Sequence, residues 1–70
     1  PENAEAHFNL GLYNKLVGRI ADAVPYWKST LELNPYFVPA YQNLADYYHG
    51  IDDVATARYY ESRLEALNVP

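Results

Sequence analysis

The side chains of this sequence best suited to acid–base or metal chemistry near neutral pH are two histidines, His7 and His49. They lie far apart in the chain, and no carboxylate stands near His7 at the close spacing of a metal site. The segment from His49 to Asp53 is the one local cluster of metal-ligand residue types, and helix-end or capping roles fit it better. The sequence therefore predicts no metal centre.

Nucleophilic catalysis has equally little support. The chain contains no cysteine, which excludes thiolate nucleophiles, disulfides and cysteine zinc sites and leaves the compartment open. Its hydroxyl residues lack a glycine-flanked nucleophile turn and a histidine partner that the sequence can show. Those considered are Ser29, Thr30, Thr56 and Ser62. We therefore predict a protein that is not an enzyme and that binds no cofactor.

Charge and hydropathy exclude two further classes of partner. Nine acidic residues against five basic ones give a net charge of −4, and the five cations form no dense patch. Nucleic acids and anionic membrane surfaces both require a basic footprint, so neither is an expected partner. No run of eighteen apolar residues is present to span a membrane. The charge favours basic or neutral protein partners.

The elements that would position these residues are predicted to be four helices, two in each half of the chain. Asn3 is placed to cap the first helix and Gly18 to end it; Asn34-Pro35 ends the second. Pro39 opens the third helix, Gly50 closes it, and Asp52 or Asp53 caps the fourth. Pro25 would break a helix interior, so we expect the second helix either to start late, with Asp22 as its cap, or to have a distorted opening turn. The predicted buried stripe of the first helix is Ala6, Leu10, Tyr13 and Val17.

The two halves of the chain repeat each other with a period of 34 residues. Ten of the thirty-six comparable pairs are identical, against roughly two or three expected by chance. The identities include Ala6 with Ala40, Leu10 with Leu44, Tyr13 with Tyr47, and Ala23 with Ala57. A period of this length indicates one small helical unit used twice, and such arrays usually present a binding surface.

The motif residues at this period resemble the tetratricopeptide repeat, whose pattern is W-x2-L-G-x2-Y, then A-x3-F, then P. The first copy reads His7-x2-Leu10-Gly11-x2-Asn14, then Ala23-x3-Trp27, then Pro35. The second reads Tyr41-x2-Leu44-Ala45-x2-Tyr48, then Ala57-x3-Glu61, with Val69 in place of proline. The resemblance implies an all-α array of tandem antiparallel helical hairpins (an α-solenoid), with one repeat over residues 1–37 and the other over 38–70. Because Glu61 replaces an aromatic that would face a next repeat, we expect no ordinary third repeat after it.

The resemblance also implies a concave groove, lined by the first helix of each hairpin, that holds an extended peptide. The positions carried over are Glu5, Phe8, Asn9, Leu12, Lys15, Gln42, Asn43, Asp46 and His49. Asn43 is placed to hydrogen-bond a peptide backbone, because its amide both donates and accepts. Phe8 and Leu12 replace the lysine and asparagine with which related proteins grip a terminal carboxylate, so that clamp is absent. The expected ligand is a peptide with an apolar anchor and a basic residue near Glu5 or Asp46; the alternative is that this face is only solvated.

The aromatic residues are predicted to divide between core and surface. Core packing is the preferred interpretation for Tyr13, Tyr26, Tyr47, Tyr48 and Tyr60. Phe8, Tyr36, Phe37 and Tyr59 fit the core stripes less well, and both interpretations stay open for them.

The sequence thus predicts a non-catalytic protein-interaction module that binds a protein or peptide. The alternative is a structural segment that forms homo-oligomers by pairing its exposed repeat faces, since two repeats are fewer than the three usually needed to bury a continuous core.

Overall fold

The computed structural model describes residues 3–68, and these residues form four α-helices and no strand. The helices are α1 (Ala4–Leu16), α2 (Ile20–Leu33), α3 (Val38–Gly50) and α4 (Val54–Ala66). α1 packs on α2 and α3 packs on α4, which gives two helical hairpins, and α2 contacts α3 to join them. The predicted all-α architecture of tandem hairpins is confirmed. α3 begins at the first residue of the predicted second repeat.

The helix ends follow the local signals in the sequence. Asn3 caps α1 by accepting a hydrogen bond from the Ala6 amide at 3.2 Å. Asp53 caps α4, accepting from the Thr56 hydroxyl at 2.7 Å and from the Thr56 amide at 3.1 Å. Both hydrogen bonds lower the pKa of the Asp53 carboxyl below its usual value, and the bond from the Thr56 hydroxyl has the larger effect. Gly18 has φ +84°, the left-handed backbone that lets the chain leave α1 and turn into α2.

The predicted late start of α2 is wrong. The helix begins at Ile20 and contains Pro25 in its interior, and Asp22 lies in the first turn instead of at the cap. Pro25 lacks the amide that would bond the carbonyl of Ala21 one turn earlier. Both residues are exposed, so water can solvate the carbonyl that is left without its helical partner.

The core lies where α2 is packed between α1 and α3. Its buried residues come from these three helices: Phe8, Ala23, Val24, Trp27, Ala40 and Leu44. Half-buried aromatic and aliphatic side chains pack against this cluster. Trp27 and Leu44 are fully buried. Gly11 lets α1 approach the indole of Trp27 closely, because a Cβ at Gly11 would lie 2.6 Å from the Trp27 Cδ1 atom. Gly11 thus permits the close contact between the two helices of the first hairpin.

The predicted buried stripe of α1 is wrong. Leu10 is 47% exposed, Tyr13 is 60% exposed and Val17 is 47% exposed, and Ala6 is exposed as well. α1 instead buries Phe8 and Gly11, which face α2. Periodicity identifies an apolar face, but that face is buried only if another helix packs against it. The helix that packs against α1 is α2, and it contacts the face that carries Phe8 and Gly11. Tyr13, predicted to be core, therefore lies on the surface.

The described residues form a flat slab. The Cα atoms extend 35 × 33 × 13 Å, and the main helix contacts join helices that are consecutive in the chain. α1 and α4 are therefore the two ends of the slab. Within residues 3–68, no helix combines the length and apolar content needed to cross a bilayer.

Candidate functional site

The predicted groove residues lie on the first helix of each hairpin, and we call them together the first-helix surface: Glu5, Phe8, Asn9, Leu12 and Lys15 on α1, with Gln42, Asn43, Asp46 and His49 on α3. Their exposure varies. Glu5, Asn9, Lys15, Gln42, Asp46 and His49 are exposed, whereas Leu12 and Asn43 are half-buried. Within residues 3–68, no hydrogen bond or ion pair joins a member on α1 to a member on α3. The residues of the first-helix surface therefore lie on corresponding helices of the two hairpins but do not form a hydrogen-bonded cluster.

Phe8 is the member of this surface that the structure places in the core. It is only 9% exposed, and its ring lies 5.0 Å, centroid to centroid, from the ring of Phe37 in the turn before α3. Leu12, one turn later, packs against the same core. A ligand could not use Phe8 as an anchor unless this packing opened. Phe8 therefore supports the surface from beneath.

His49 is drawn away from α1 by an interaction with α4. Its Nε2 atom lies 3.1 Å from the Oε2 atom of Glu61, and the two side chains are 43% and 52% exposed. An exposed pair of this kind contributes little to stability. Glu61 stays half in water, which avoids the cost of burying a carboxylate. The pair gives the α4 end of the slab a polar surface.

The five asparagines that precede α4 divide into two groups by how their amides are used. Asn3 and Asn34 accept hydrogen bonds from backbone amides of Ala6 and Tyr36, and Asn14 donates to the carbonyl of Leu10. Asn9 and Asn43 occupy the same position in the two repeats, and their side chains bond no other residue of the range 3–68. Each amide can therefore donate to and accept from a bound peptide group.

Leu16 is an exposed apolar side chain next to this surface that the sequence-based search did not select. It is 84% exposed and follows Leu12 by four residues on α1, so the two lie on one helix face. Its equivalent in the second repeat is Gly50. No local signal in the sequence marks Leu16, because the residues of the predicted buried stripe are exposed as well.

A second concave surface, which sequence reasoning missed, lies between α2 and α4. Two adjoining cavities of about 270 and 220 Å³ share Pro35, Tyr41 and Arg63 in their walls. We call this region the α2–α4 cleft; its larger part is lined by Lys28, Leu31, Glu32, Pro35, Tyr41, Tyr59, Tyr60 and Arg63. The residues come from segments far apart in sequence, so no local spacing announces it.

One wall of this cleft, the tyrosine wall, consists of Lys28, Tyr59 and Tyr60; Tyr48 does not line the cleft but contacts two of these residues. The rings of Tyr48 and Tyr60 stack at 5.9 Å, and the rings of Tyr59 and Tyr60 meet edge to face at 5.1 Å. The Lys28 ammonium lies 5.8 Å from the centre of the Tyr48 ring. Burial raises the pKa of Tyr60, against the opposing effect of the Lys28 charge. The neighbouring Tyr48 hydroxyl raises the pKa of Lys28, and partial burial opposes that shift.

The described residues present no group of three or more histidines, aspartates or glutamates positioned to hold a metal ion. The segment from His49 to Asp53 behaves as helix-end structure, because Asp53 caps α4 and His49 contacts Glu61.

Tyr36 and Tyr59, whose placement the sequence left open, are 74% and 57% exposed.

Comparison with known proteins gives no match: no family model, no curated protein and no solved structure resembles the chain closely enough to be reported. The tetratricopeptide resemblance therefore stays a prediction from the motif residues, and the arrangement of the helices supports only the coarser description, an all-helical array of hairpins.

Proposed function

We propose that this chain is a non-catalytic, tetratricopeptide-like interaction module that holds an extended peptide segment of a partner protein on its first-helix surface. The observation that carries the proposal is the pair Asn9 and Asn43. They are equivalent in the 34-residue repeat, and their amides are free of hydrogen bonds to residues 3–68, whereas Asn3, Asn14 and Asn34 use theirs locally. An extended backbone presents donors and acceptors that such amides match.

Charge selects the class of peptide. Glu5 and Asp46 are exposed carboxylates of this surface, Lys15 is its lysine, and the whole chain carries a net charge of −4. A basic side chain near Glu5 or Asp46 would be favoured, with the salt dependence usual for exposed charges. The preferred ligand is therefore a neutral or weakly basic peptide.

The apolar contribution comes from Leu12 and Leu16. Phe8 is buried and cannot serve, so the anchor position shifts by one to two turns towards the end of α1. Leu16 is 84% exposed and would gain most from being covered. A ligand with an aliphatic or aromatic side chain that reaches Leu16 fits this surface best.

The test is selection of peptides from a random display library on the 70-residue chain, followed by affinity measurement on variants. Asn43→Ala and Asn9→Ala remove two hydrogen bonds each, so we expect each to weaken binding by about tenfold or more. Asn68→Ala is the matched control, since Asn68 is exposed and lies beyond α4. Circular dichroism should show unchanged helicity in all three variants.

Two results would contradict this proposal. Wild-type affinity in both Asn9→Ala and Asn43→Ala would remove the first-helix surface as the site. If Arg63→Ala abolished binding in the same experiment, recognition would instead belong to the α2–α4 cleft, because Arg63 lines both of its cavities.

A further inference from the structure

The exposed apolar face of α1 has an exact counterpart elsewhere in the chain, and that counterpart is covered. We call the residues Ala6, Leu10 and Tyr13 the α1 outer face; their equivalents 34 residues later are the identical Ala40, Leu44 and Tyr47 of α3. Leu10 is 47% exposed and Leu44 is 0% exposed; Ala6 is exposed and Ala40 is 0% exposed. The same residue types at the same helix positions thus stand once open and once buried.

The element that covers this face in α3 is α2. Ala40 and Leu44 belong to the core cluster with Val24 and Trp27 of α2, and Leu31 packs against that cluster. The apolar stripe of α2 therefore consists of Ala23, Val24, Trp27 and Leu31. Because the two faces are identical in sequence, the chemistry that fits α3 also fits α1.

We propose that the α1 outer face is a docking surface for the second helix of a further helical hairpin, which is tethered in front of α1 and carries an apolar stripe like that of α2. The occupant is defined by what already covers the equivalent face within this chain. The proposal concerns α1 alone and does not depend on peptide binding by the first-helix surface.

A second copy of the chain is a poorer occupant in head-to-tail stacking. That arrangement would bring α4 onto α1, and α4 replaces Val24, Trp27 and Leu31 with Arg58, Glu61 and Glu65. All three replacements are exposed, and Glu61 is paired with His49. Covering Leu10 with these charges would desolvate them without apolar compensation. The slab therefore has one apolar end, at α1, and one charged end, at α4.

Interface size favours a tethered occupant over a free one. A helix of 13 residues is about 20 Å long and 10 Å wide, so one face offers roughly 200 Å² to a partner. Specific contacts between separate chains usually bury more than about 1,000 Å² in total. A tether supplies the missing affinity by raising the effective concentration to the millimolar range. α2 covers α3 under the same condition, joined by the short turn between Leu33 and Val38.

The test is a fusion in which residues 1–34 are duplicated in front of the full chain. Asn34 of the added hairpin then precedes Pro1, as Asn34 precedes Pro35 in the chain itself. The readout is the cost of Leu10→Ala in the original hairpin, measured by urea unfolding followed by circular dichroism. In the unfused chain Leu10→Ala should change the unfolding constant by less than about threefold. In the fusion the same substitution should change it by at least about thirtyfold, as expected for a buried leucine.

The matched control adds a hairpin at the other end. Residues 35–68 are duplicated after Asn68, which keeps the same junction sequence but brings the added helix against the charged face of α4. In this second fusion, Leu44→Ala in the added hairpin should change the unfolding constant by less than about threefold. A cost as large as that in the first fusion would show that any added hairpin buries its leucine, and would overturn the assignment to α1.

Two further results would overturn the proposal. If Leu10→Ala costs as little in the first fusion as in the unfused chain, the α1 outer face does not accept an α2-like helix. If light scattering shows that the unfused chain dimerises and that Leu10→Glu abolishes the dimer, the occupant is a second copy, as the alternative function predicted from the sequence would require.

Discussion

Replacing Gly11 by alanine tests the closest helix approach in the core. Gly11 lies on α1 opposite the indole of Trp27, which is fully buried. An alanine Cβ would lie 2.6 Å from the Trp27 Cδ1 atom and 3.0 Å from its Cε2 atom, and closer still to Nε1. Ordinary carbon contacts begin at about 3.5 Å, so the ring or the helix must shift by about 1 Å. We expect Gly11→Ala to destabilise the fold.

The magnitude follows from two opposing effects. Overpacking of this kind costs about 1–3 kcal/mol, and the upper end applies because the indole has no exposed side towards which to move. Alanine in a helix gains about 1 kcal/mol over glycine. The net loss should be about 2 kcal/mol, which lowers the Tm of a 70-residue domain by about 8–16 °C.

Gly50→Ala is the matched control, because Gly50 is also helical but has open space where its Cβ would stand. It should gain less than the interior helix-propensity increment of about 1 kcal/mol, because Gly50 is the last residue of α3, and it should meet no clash, so the two variants should differ by about 2–3 kcal/mol. Urea unfolding followed by circular dichroism and by Trp27 fluorescence measures both. A Gly11→Ala variant as stable as the wild type, or more stable, would refute the close approach of α1 to the indole.

Three other substitutions test the core, a helix cap and the tyrosine wall. Leu44→Ala should cost about 2–5 kcal/mol in urea unfolding, because Leu44 is fully buried; a cost below about 1 kcal/mol would contradict its place between α2 and α3. Asp53→Asn should lower the urea midpoint more at pH 7 than at an acid pH below the folded-state pKa of Asp53. The reason is that the lowered pKa of Asp53 gives stability above its ordinary value of about 3.9, lost as the pH falls through the folded-state pKa; an equal effect at both pH values would argue against the ionised cap. Tyr60→Phe should reduce the loss of stability above about pH 10. The raised pKa of the Tyr60 phenol stabilises the fold at pH values below the unfolded-state pKa, and this stability is lost as the pH rises through the folded-state pKa. Identical alkaline profiles of variant and wild type would exclude this contribution.

Much of the fold could be predicted because its determinants are local. The caps at Asn3 and Asp53 and the left-handed turn at Gly18 depend on side chains and backbone angles within a few residues. The 34-residue period, with two helices predicted in each half of the chain, then indicated the all-helical architecture of tandem hairpins. The prediction failed at Pro25, because whether a helix tolerates a proline depends on what solvates the freed carbonyl.

The candidate site was predicted less completely. The sequence placed Asn9 and Asn43 at equivalent repeat positions, and in the structure Asn9 is exposed, Asn43 is half-buried and neither side chain has a hydrogen-bond partner among residues 3–68. It could not show that Phe8 is buried against Phe37 or that His49 contacts Glu61, because each of these pairs brings together different segments. The α2–α4 cleft was invisible for the same reason.

The sequence by itself determined four helices, most of their ends, the repeat and the absence of cysteine chemistry, since these follow from residue identity and spacing. Only the tertiary structure decided which of two identical faces is buried: Leu44 lies against α2, whereas Leu10 faces solvent. The physical reason is that burial belongs to two surfaces in contact. An apolar stripe specifies one of those surfaces, and the position of its neighbour is set by the packing of the whole chain.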